Sequence, residues 1–273
     1  MRLGLPLDTL ILHRLCDRRV EILSEEPNLH PVFTPVTIVG DIHGQFEDLL
    51  EILNQCGEPP FTNYLFLGDY VNRGYHSIQV VTLLMLFKAK HPDRVTLLRG
   101  KDESRILTRG YGFYDDCMRQ YGGSENPWKW FMKVFDCLPL SALVDGKVFA
   151  VHSGLSPEFA SLDLLTTLER KHDIPDDSLM TNLLWSSPEE GYNGWGMVPR
   201  GTGYIFGEDV VRMFCWINKL DLIVRSNTLV IEGYKWFGKE QQLVTVWSAP
   251  NYAARCENMG AVMQLHFTSC DGG

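Results

Sequence analysis

Four short runs of apolar and β-branched residues in the first part of the chain each end abruptly in polar residues. Such runs are typical of strands buried on both faces, and they lie at residues 36–39, 64–67, 95–98 and 148–151. Loops that leave strand ends in layered α/β folds converge on one crevice, so we expect the polar side chains that follow to share a site. These side chains are Asp41 and His43, Asp69, Lys101 and Asp102, and His152.

Helical spacing of apolar residues follows the first two runs. After Gly44, apolar residues recur through 46–53 at spacings of three and four, which predicts one unit of strand, ligand-bearing turn and helix. A second unit combines the strand at 64–67, the loop at 68–74 and a helix from about 77 to 89. Further helices are predicted over 8–23 and 128–135.

The pattern changes after His152. Strands with short connections are predicted at residues 222–224, 228–231, 243–247 and 261–265, which favours a more antiparallel second half. Residues 191–207, rich in Gly and Trp, indicate a long irregular loop. Because no repeat or low-complexity linker divides the chain, we predict an α/β fold forming a single domain over residues 1–273.

Composition narrows the classes of partner and compartment. A formal net charge of -9 argues against a nucleic-acid partner or an anionic membrane surface, since either would favour a basic face. The seven cysteines are scattered, without a C-x-x-C pair. No stretch resembles a signal peptide or approaches the roughly 18 to 20 apolar residues that span a bilayer. The expected location is therefore intracellular, cytoplasmic and/or nuclear.

The residue types at the strand ends point to metal-assisted hydrolysis. Asp41, His43, Asp69 and His152 offer the oxygen and nitrogen ligands that suit Mn, Fe or Zn ions with water in the open positions. A lone His is more often a structural polar residue, but four such side chains behind buried strands reverse that preference. Arg73 and Arg200 add guanidinium groups suited to phosphate oxygens, although a single Arg is usually a surface cation.

These residues lie within motifs that together resemble the phosphoprotein-phosphatase family of serine/threonine phosphatases. Within it the chain is most similar to the type 2A, type 4 and type 6 branch, with type 6 closest. The motifs occur in order from about Val36 to Leu265: GDIHGQF (40–46), NYLFLGDYVNRGY (63–75), LLRGKDESR (97–105), YGFYDDC (111–117), VHSGLSP (151–157), PRGTGYIFG (199–207), EGYKWF (232–237) and VTVWSAPNY (244–252).

The resemblance implies a calcineurin-like metallophosphoesterase fold, with two mixed β-sheets packed as a sandwich and flanked by helices. It also implies a two-metal site whose bridging hydroxide attacks phosphoserine or phosphothreonine. By motif, Asp41 and His43 are similar to ligands of the first metal, Asp69 to the bridging ligand and His152 to a ligand of the second. Positions that bind or flank the phosphate in the family are occupied here by Arg73, Arg200 and Tyr252.

Several positions at the expected site depart from the family pattern. Asn72 stands where the family has the Asp that orients a catalytic His, and Asp102 stands where it has that His. Two second-metal ligands are replaced, an Asn by Lys101 and a His by Asn227, and a Gly of the H-G-G motif is Ser153. A carboxyl such as Asp102 is a poor general acid at pH 7, and losing that acid typically costs about 10²- to 10⁴-fold in rate. We therefore expect at most one divalent metal (Mn, Fe or Zn), with the two-metal site disrupted.

Three interpretations follow from these departures. The first is a pseudophosphatase, a binding or scaffolding subunit that retains the fold and a partner surface, for which the resemblance implies HEAT- or ankyrin-repeat regulatory subunits. The second is an active or weakly active phosphoserine/phosphothreonine phosphatase with an altered site. The third is a bare structural module, which the retained arginines disfavour because they suit a phosphorylated peptide. The Tyr-Phe-Leu tail usual in the branch is missing before Gly273, which puts tail-dependent assembly in question.

Lys101 permits two outcomes. Its ammonium can reach inward and pair with Asp69 or Asp102, acting as a built-in cation where the second metal would bind, since an unpaired buried carboxylate is costly. Alternatively, the side chain turns to solvent. The sequence alone leaves both outcomes open.

Overall fold

The computed structural model describes residues 6–198 and 201–266 of the chain. Within those ranges the α-helices are α1 Thr9–Glu25, α2 Phe46–Cys56, α3 Ser77–Lys90, α4 Arg105–Gly110, α5 Phe113–Gln120, α6 Asn126–Asp136, α7 Leu179–Trp185 and α8 Glu208–Asn218. The predicted helices at 8–23, 77–89 and 128–135 are therefore confirmed to within a few residues. None of the helices in the described part of the chain has the length and apolar character needed to span a bilayer.

The described strands form two mixed sheets and one small sheet. They are β1 Leu29–Val32, β2 Val36–Val39, β3 Tyr64–Phe66, β4 Val95–Leu97, β5 Ser141–Val144, β6 Val148–Val151, β7 Ser187–Pro188, β8 Trp195–Met197, β9 Tyr204–Phe206, β10 Leu222–Arg225, β11 Tyr234–Phe237, β12 Leu243–Val246 and β13 Val262–Leu265. The sheets have the orders β1-β5-β6-β10-β12-β11, β13-β2-β3-β4 and β7-β9-β8.

The two large sheets pack face to face. Their inner faces share one apolar cluster, in which Ile38 and Leu65 of the four-stranded sheet meet Ala150, Val224 and Val244 of the six-stranded sheet. A second cluster packs α1, α3 and α6 on the outside of the four-stranded sheet. A third packs α7 and α8 on the outside of the six-stranded sheet. The predicted sandwich of two mixed sheets flanked by helices is confirmed.

The prediction of a more antiparallel second half is wrong for the inner strands. β10 is parallel to both β6 and β12, and antiparallel pairing joins β5 to β6, β11 to β12 and β13 to β2. The apolar runs at 222–224, 243–247 and 261–265 are strands as predicted, but a short buried run carries no information on the direction of its neighbour.

Two other predictions in this half need correction. Residues 228–231 form a loop, because Asn227 has a positive φ of 64° that turns the chain. The apolar side chains of Leu229 and Val230 pack in a local cluster with Trp247. Residues 191–207 contain β8 and β9 as an antiparallel pair, with Trp195 packed against Tyr204 and Phe206, where an irregular loop was predicted.

Candidate metal centre

The candidate metal centre lies at the carboxyl ends of strands from both large sheets. β2, β3 and β4 are parallel neighbours, so Asp41, Asp69 and Asp102 emerge at one edge of the four-stranded sheet. His152 follows β6 of the opposite sheet, and a bridge between Asp41 and Trp247 joins the two sheets here. The four predicted strand ends therefore converge as expected, but from two sheets.

The turns that hold these side chains have unusual backbone conformations. His43, Asp69, Asn72, Arg73 and Asn227 all have positive φ angles, between 47° and 69°. The left-handed region is uncommon for non-glycine residues, and clusters of such residues occur at functional sites. The neighbouring Gly100 permits the close approach of two turns, because an added Cβ there would collide with the backbone nitrogen of Asp69.

The buried donor atoms of the first motif converge. His43 Nδ1 lies 3.2 Å from the carbonyl oxygen of Val71, which leaves Nε2 facing Asp41 Oδ2 at 3.3 Å and Asp69 Oδ2 at 3.6 Å. Asp41 Oδ2 is buried and makes no hydrogen bond in the described structure. Its contact with His43 Nε2 is an ion pair, and a divalent cation bound by both atoms would take the place of the imidazole proton.

His152 presents a second free donor atom. Its Nδ1 lies 2.9 Å from the carbonyl oxygen of Leu67, the contact that commonly fixes the tautomer of a metal-binding His. Its Nε2 is buried without a hydrogen bond and lies 3.3 Å from Asp69 Oδ1. Two groups of side chains have donor atoms close enough to hold a metal ion: Asp41, Asp69 and His152, and His43, Asp69 and Asp102.

Lys101 points inward. Its ammonium donates a hydrogen bond to Asp69 Oδ2 and lies 3.8 Å from Asp102 Oδ1. The Lys101 side chain is only 16% exposed. Asp69 Oδ1 accepts a hydrogen bond from the backbone nitrogen of Asp102 at 2.9 Å. Both oxygens of Asp69 are thus hydrogen-bonded from the β4 turn.

Asn72 and Asp102 contact one another directly. Asn72 Nδ2 donates to Asp102 Oδ2 at 3.1 Å, and Asn72 Oδ1 accepts from the backbone nitrogen of Phe113 at 3.2 Å. Both side chains are almost completely buried. The Asn72 amide therefore positions the Asp102 carboxylate, although no imidazole stands at position 102.

Asn227 is held by Ser153. Its Nδ2 donates to Ser153 Oγ at 2.5 Å, while its backbone nitrogen donates to Asp41 Oδ1 at 3.2 Å. The Arg225 guanidinium donates to the same serine, from Nε to the Ser153 carbonyl oxygen at 2.5 Å and from Nη2 to Ser153 Oγ at 3.1 Å. The Asn227 amide is therefore directed at Ser153, and only its backbone reaches the metal donors.

The electrostatics of the centre reflect three close carboxylates. Burial lowers the pKa of His43, but the carboxylates of Asp41, Asp69 and Asp102 outweigh it and raise that pKa to about 9. Burial also lowers the pKa of Lys101, yet Asp69 and Asp102 raise it by more, so the ammonium stays charged. Burial, followed by the charge on Asp69, raises the pKa of Asp102 above its ordinary range.

Glu103 is a buried residue of the centre that the sequence reasoning missed. Its carboxylate accepts hydrogen bonds from the backbone nitrogens of Asp69 and Tyr70, both at 2.8 Å, and of Gly100 at 2.9 Å. Burial and the charges on Asp69 and Asp102 raise its pKa to about 8. The sequence signal that could have identified it is its position, since Glu103 directly follows the candidate site residues Lys101 and Asp102.

Two of the three predicted phosphate-facing residues, Arg73 and Tyr252, lie in the described part of the chain. The Arg73 guanidinium is exposed and stacks 3.6 Å above the ring centroid of Tyr111. The Tyr252 ring lies 5.0 Å from the His43 ring, between centroids. Arg200 lies outside the described residues.

Fold and donor set together define a metallophosphoesterase. The calcineurin-like phosphoesterase family model matches residues 34–229, and the chain belongs to that family, which uses divalent metals. It is similar to a protein serine/threonine phosphatase from Saccharomyces cerevisiae with similarity to human phosphatase PP5. The two are 33% identical with a TM-score of 0.89, over 94% of this chain and 82% of that one.

A cold-active protein-tyrosine phosphatase of a psychrophilic Shewanella shares only the fold. It is 18% identical with a TM-score of 0.65, over 90% of this chain and 79% of that one.

Proposed function

We propose that this chain is a serine/threonine-phosphatase-like protein that acts by binding, with phosphoester hydrolysis lost or strongly reduced. The observation that carries the proposal is the Lys101 ammonium bonded to Asp69, the carboxylate that the resemblance makes the metal bridge. An ammonium has no lone pair and cannot ligate a metal. A second cation at this carboxylate would have to displace a buried ion pair.

The Asn72–Asp102 pair supports the same conclusion. Asp102 stands where the family has its acid for the leaving alkoxide, and here it accepts a hydrogen bond from Asn72. Burial raises the pKa of Asp102, but the neighbouring Lys101 and His43 favour its ionised form, which has no proton to give to a leaving alkoxide. The centre therefore lacks an efficient general acid.

We further propose that Asp41, His43 and Asp69 hold at most one divalent cation, Mn, Fe or Zn. Support comes from Asp41 Oδ2, which makes no hydrogen bond in the described structure, and from His43 Nε2, because their separation of 3.3 Å suits two ligand atoms of one ion. When bound, such a cation would polarise a phosphoryl oxygen. The departures at Lys101 and Asn227 oppose a second ion.

The sequence motifs support membership of the type 2A, type 4 and type 6 branch, with type 6 closest. A HEAT- or ankyrin-repeat regulatory subunit is the corresponding protein partner, and a phosphorylated peptide is a ligand that the exposed Arg73 would suit. We also propose an intracellular location, cytoplasmic and/or nuclear, which the scattered cysteines without a C-x-x-C pair support. Size-exclusion chromatography of the natively purified protein tests the partner proposal, since a monomer at low salt contradicts it.

A second function, a working phosphatase with an altered one-metal mechanism, is favoured by one observation. Asp41, His43, Asp69 and His152 still bring their donor atoms to one place. The two functions differ in turnover, so a single assay separates them.

We expect hydrolysis of para-nitrophenyl phosphate and phosphothreonine peptides, with Mn²⁺ supplied, to be at least about a thousandfold slower than by an intact family member. Asp41→Ala is the matched control, because any rate that survives it belongs to a contaminating phosphatase. A robust metal-dependent rate that Asp41→Ala abolishes contradicts the binding-protein proposal and supports the second function.

A further inference from the structure

Helix α8 carries apolar side chains on two opposite faces. The inner face packs in the core through Val211, Phe214 and Cys215. The outer face exposes three large apolar side chains at spacings of three and four residues, Met213 (57% exposed), Trp216 (74%) and Ile217 (42%). A single exposed apolar side chain needs no explanation, but a contiguous stripe that includes a Trp is characteristic of an interaction site.

The stripe is a ridge between two hollows. On one side lies an apolar cavity of about 690 Å³, lined by Leu155, Pro157, Phe159 and Trp195 together with α8. On the other side lies a more polar cavity of about 740 Å³, lined by Lys147, Lys219 and Glu240 among others. Arg212, Trp216 and Ile217 line both cavities. We call the ridge and its two cavities the α8 face.

The charge of the α8 face is balanced although the chain is acidic. The cavities are lined by three basic side chains, Lys147, Arg212 and Lys219. They are also lined by three acidic side chains, Asp209, Asp221 and Glu240. Two opposite pairs are in contact, Arg212 with Glu240 at 3.0 Å and Lys147 with Asp221 at 3.7 Å. The formal net charge of -9 therefore comes from other surfaces.

We propose that the α8 face binds the same face of a second copy of this chain, forming a symmetric dimer. In a two-fold interface the same surface patch of each copy meets the other. Such a patch must carry little net charge, because otherwise the two copies repel. It must also contain a hollow that accepts the ridge of the other copy. The α8 face meets both conditions. Trp216 of each copy enters the apolar cavity beside the α8 of the other, and the balanced rim lets two acidic chains approach.

The dimer leaves the metal centre open. None of the side chains described above as part of the metal centre lines either cavity of the α8 face. Self-association is therefore independent of metal and separable from the proposed loss of hydrolysis.

Sedimentation velocity of the full chain across a dilution series tests the proposal. We expect a concentration-dependent dimer. We expect Trp216→Glu to raise its dissociation constant at least about tenfold, because loss of a central interface Trp usually reduces the affinity by that factor or more. Phe61→Glu is the matched control, since Phe61 is 94% exposed and lines neither cavity. Circular dichroism checks that both variants are folded.

Two results overturn the proposal. One is a chain that stays monomeric at every concentration, whether or not the α8 face then binds a different protein. The other is a dimer that Trp216→Glu and Phe61→Glu affect equally. A dimer weakened by Trp216→Glu alone, and unchanged by a metal chelator, supports it.

Discussion

Asp69 is the side chain on which the contacts of the centre converge. It accepts hydrogen bonds from Lys101 and from the backbone of Asp102, and His152 Nε2 lies 3.3 Å from its Oδ1. A fully buried carboxylate is stable only when such partners compensate its lost hydration. Of the two outcomes that the sequence allowed for Lys101, the structure has the inward one.

Lys101→Ala should therefore destabilise the metal-free protein more than removal of a surface lysine does. The variant leaves Asp69 with less positive charge in a buried site, so we expect a loss above about 1 kcal/mol in the free energy of unfolding. Urea denaturation with a chelator present measures it. Lys133→Ala is the control because Lys133 is exposed, and equal losses in the two variants would refute the built-in cation.

The contact between Asn72 and Asp102 makes a prediction about coupling. Asn72→Asp alone places a second carboxylate beside Asp102 and should destabilise the fold, whereas combining it with Asp102→His recreates an acid–imidazole pair. We expect a coupling energy of about 1 to 3 kcal/mol between the two substitutions, since they are in contact. A double-mutant cycle in urea measures it, and strict additivity contradicts the pairing.

At the scale of elements, the centre depends on how the turns after β3 and β4 are joined. The Glu103 carboxylate receives backbone N–H groups from both turns, and Gly100 permits their close approach. Each turn is held by the other, so the position of Asp69 depends on a residue 34 positions away in the chain.

Glu103→Gln should loosen this junction. The amide keeps one acceptor oxygen and turns an NH₂ group toward a backbone donor, leaving at least one buried N–H unpaired at a cost of about 1 to 3 kcal/mol. Thermal unfolding compares it with Glu232→Gln, an exposed acid. If both variants unfold alike, Glu103 does not join the turns.

At the scale of the molecule, the altered residues act through a site assembled from two sheets. Lys101 and Asn72 belong to the four-stranded side, and Ser153 and Asn227 follow strands of the six-stranded sheet. Groups that act together in catalysis are strongly non-additive, so a single reversion is not expected to recover function.

We expect Lys101→Asn with Asn227→His to raise the bound metal toward two per chain, and more fully when Ser153→Gly is added. Ser153 Oγ now holds the side chain at position 227, so removing it frees a new His to turn. Elemental analysis by mass spectrometry measures the stoichiometry. Hydrolysis should require Asp102→His and Asn72→Asp as well, and two tightly bound metals in the unmodified protein would contradict the one-metal proposal.

Much of the secondary structure depends on neighbouring residues and could be predicted from the sequence. The apolar runs before Asp41, Asp69 and His152, and the helical spacing after Gly44, are readable because burial and periodicity act over a few neighbouring residues. The motifs added the sandwich, which a short periodic pattern cannot specify. The single domain and the protein partners stay predictions.

Tertiary structure alone decided how the altered residues pair. Asn72 bonds to Asp102 across 30 positions and Asn227 to Ser153 across 74, contacts that depend on which strands are neighbours and on left-handed turns. The parallel direction of β6, β10 and β12 has the same origin, because a buried apolar run fits either direction and packing selects one. The sequence determined which groups the centre contains, and the fold determined which of them meet.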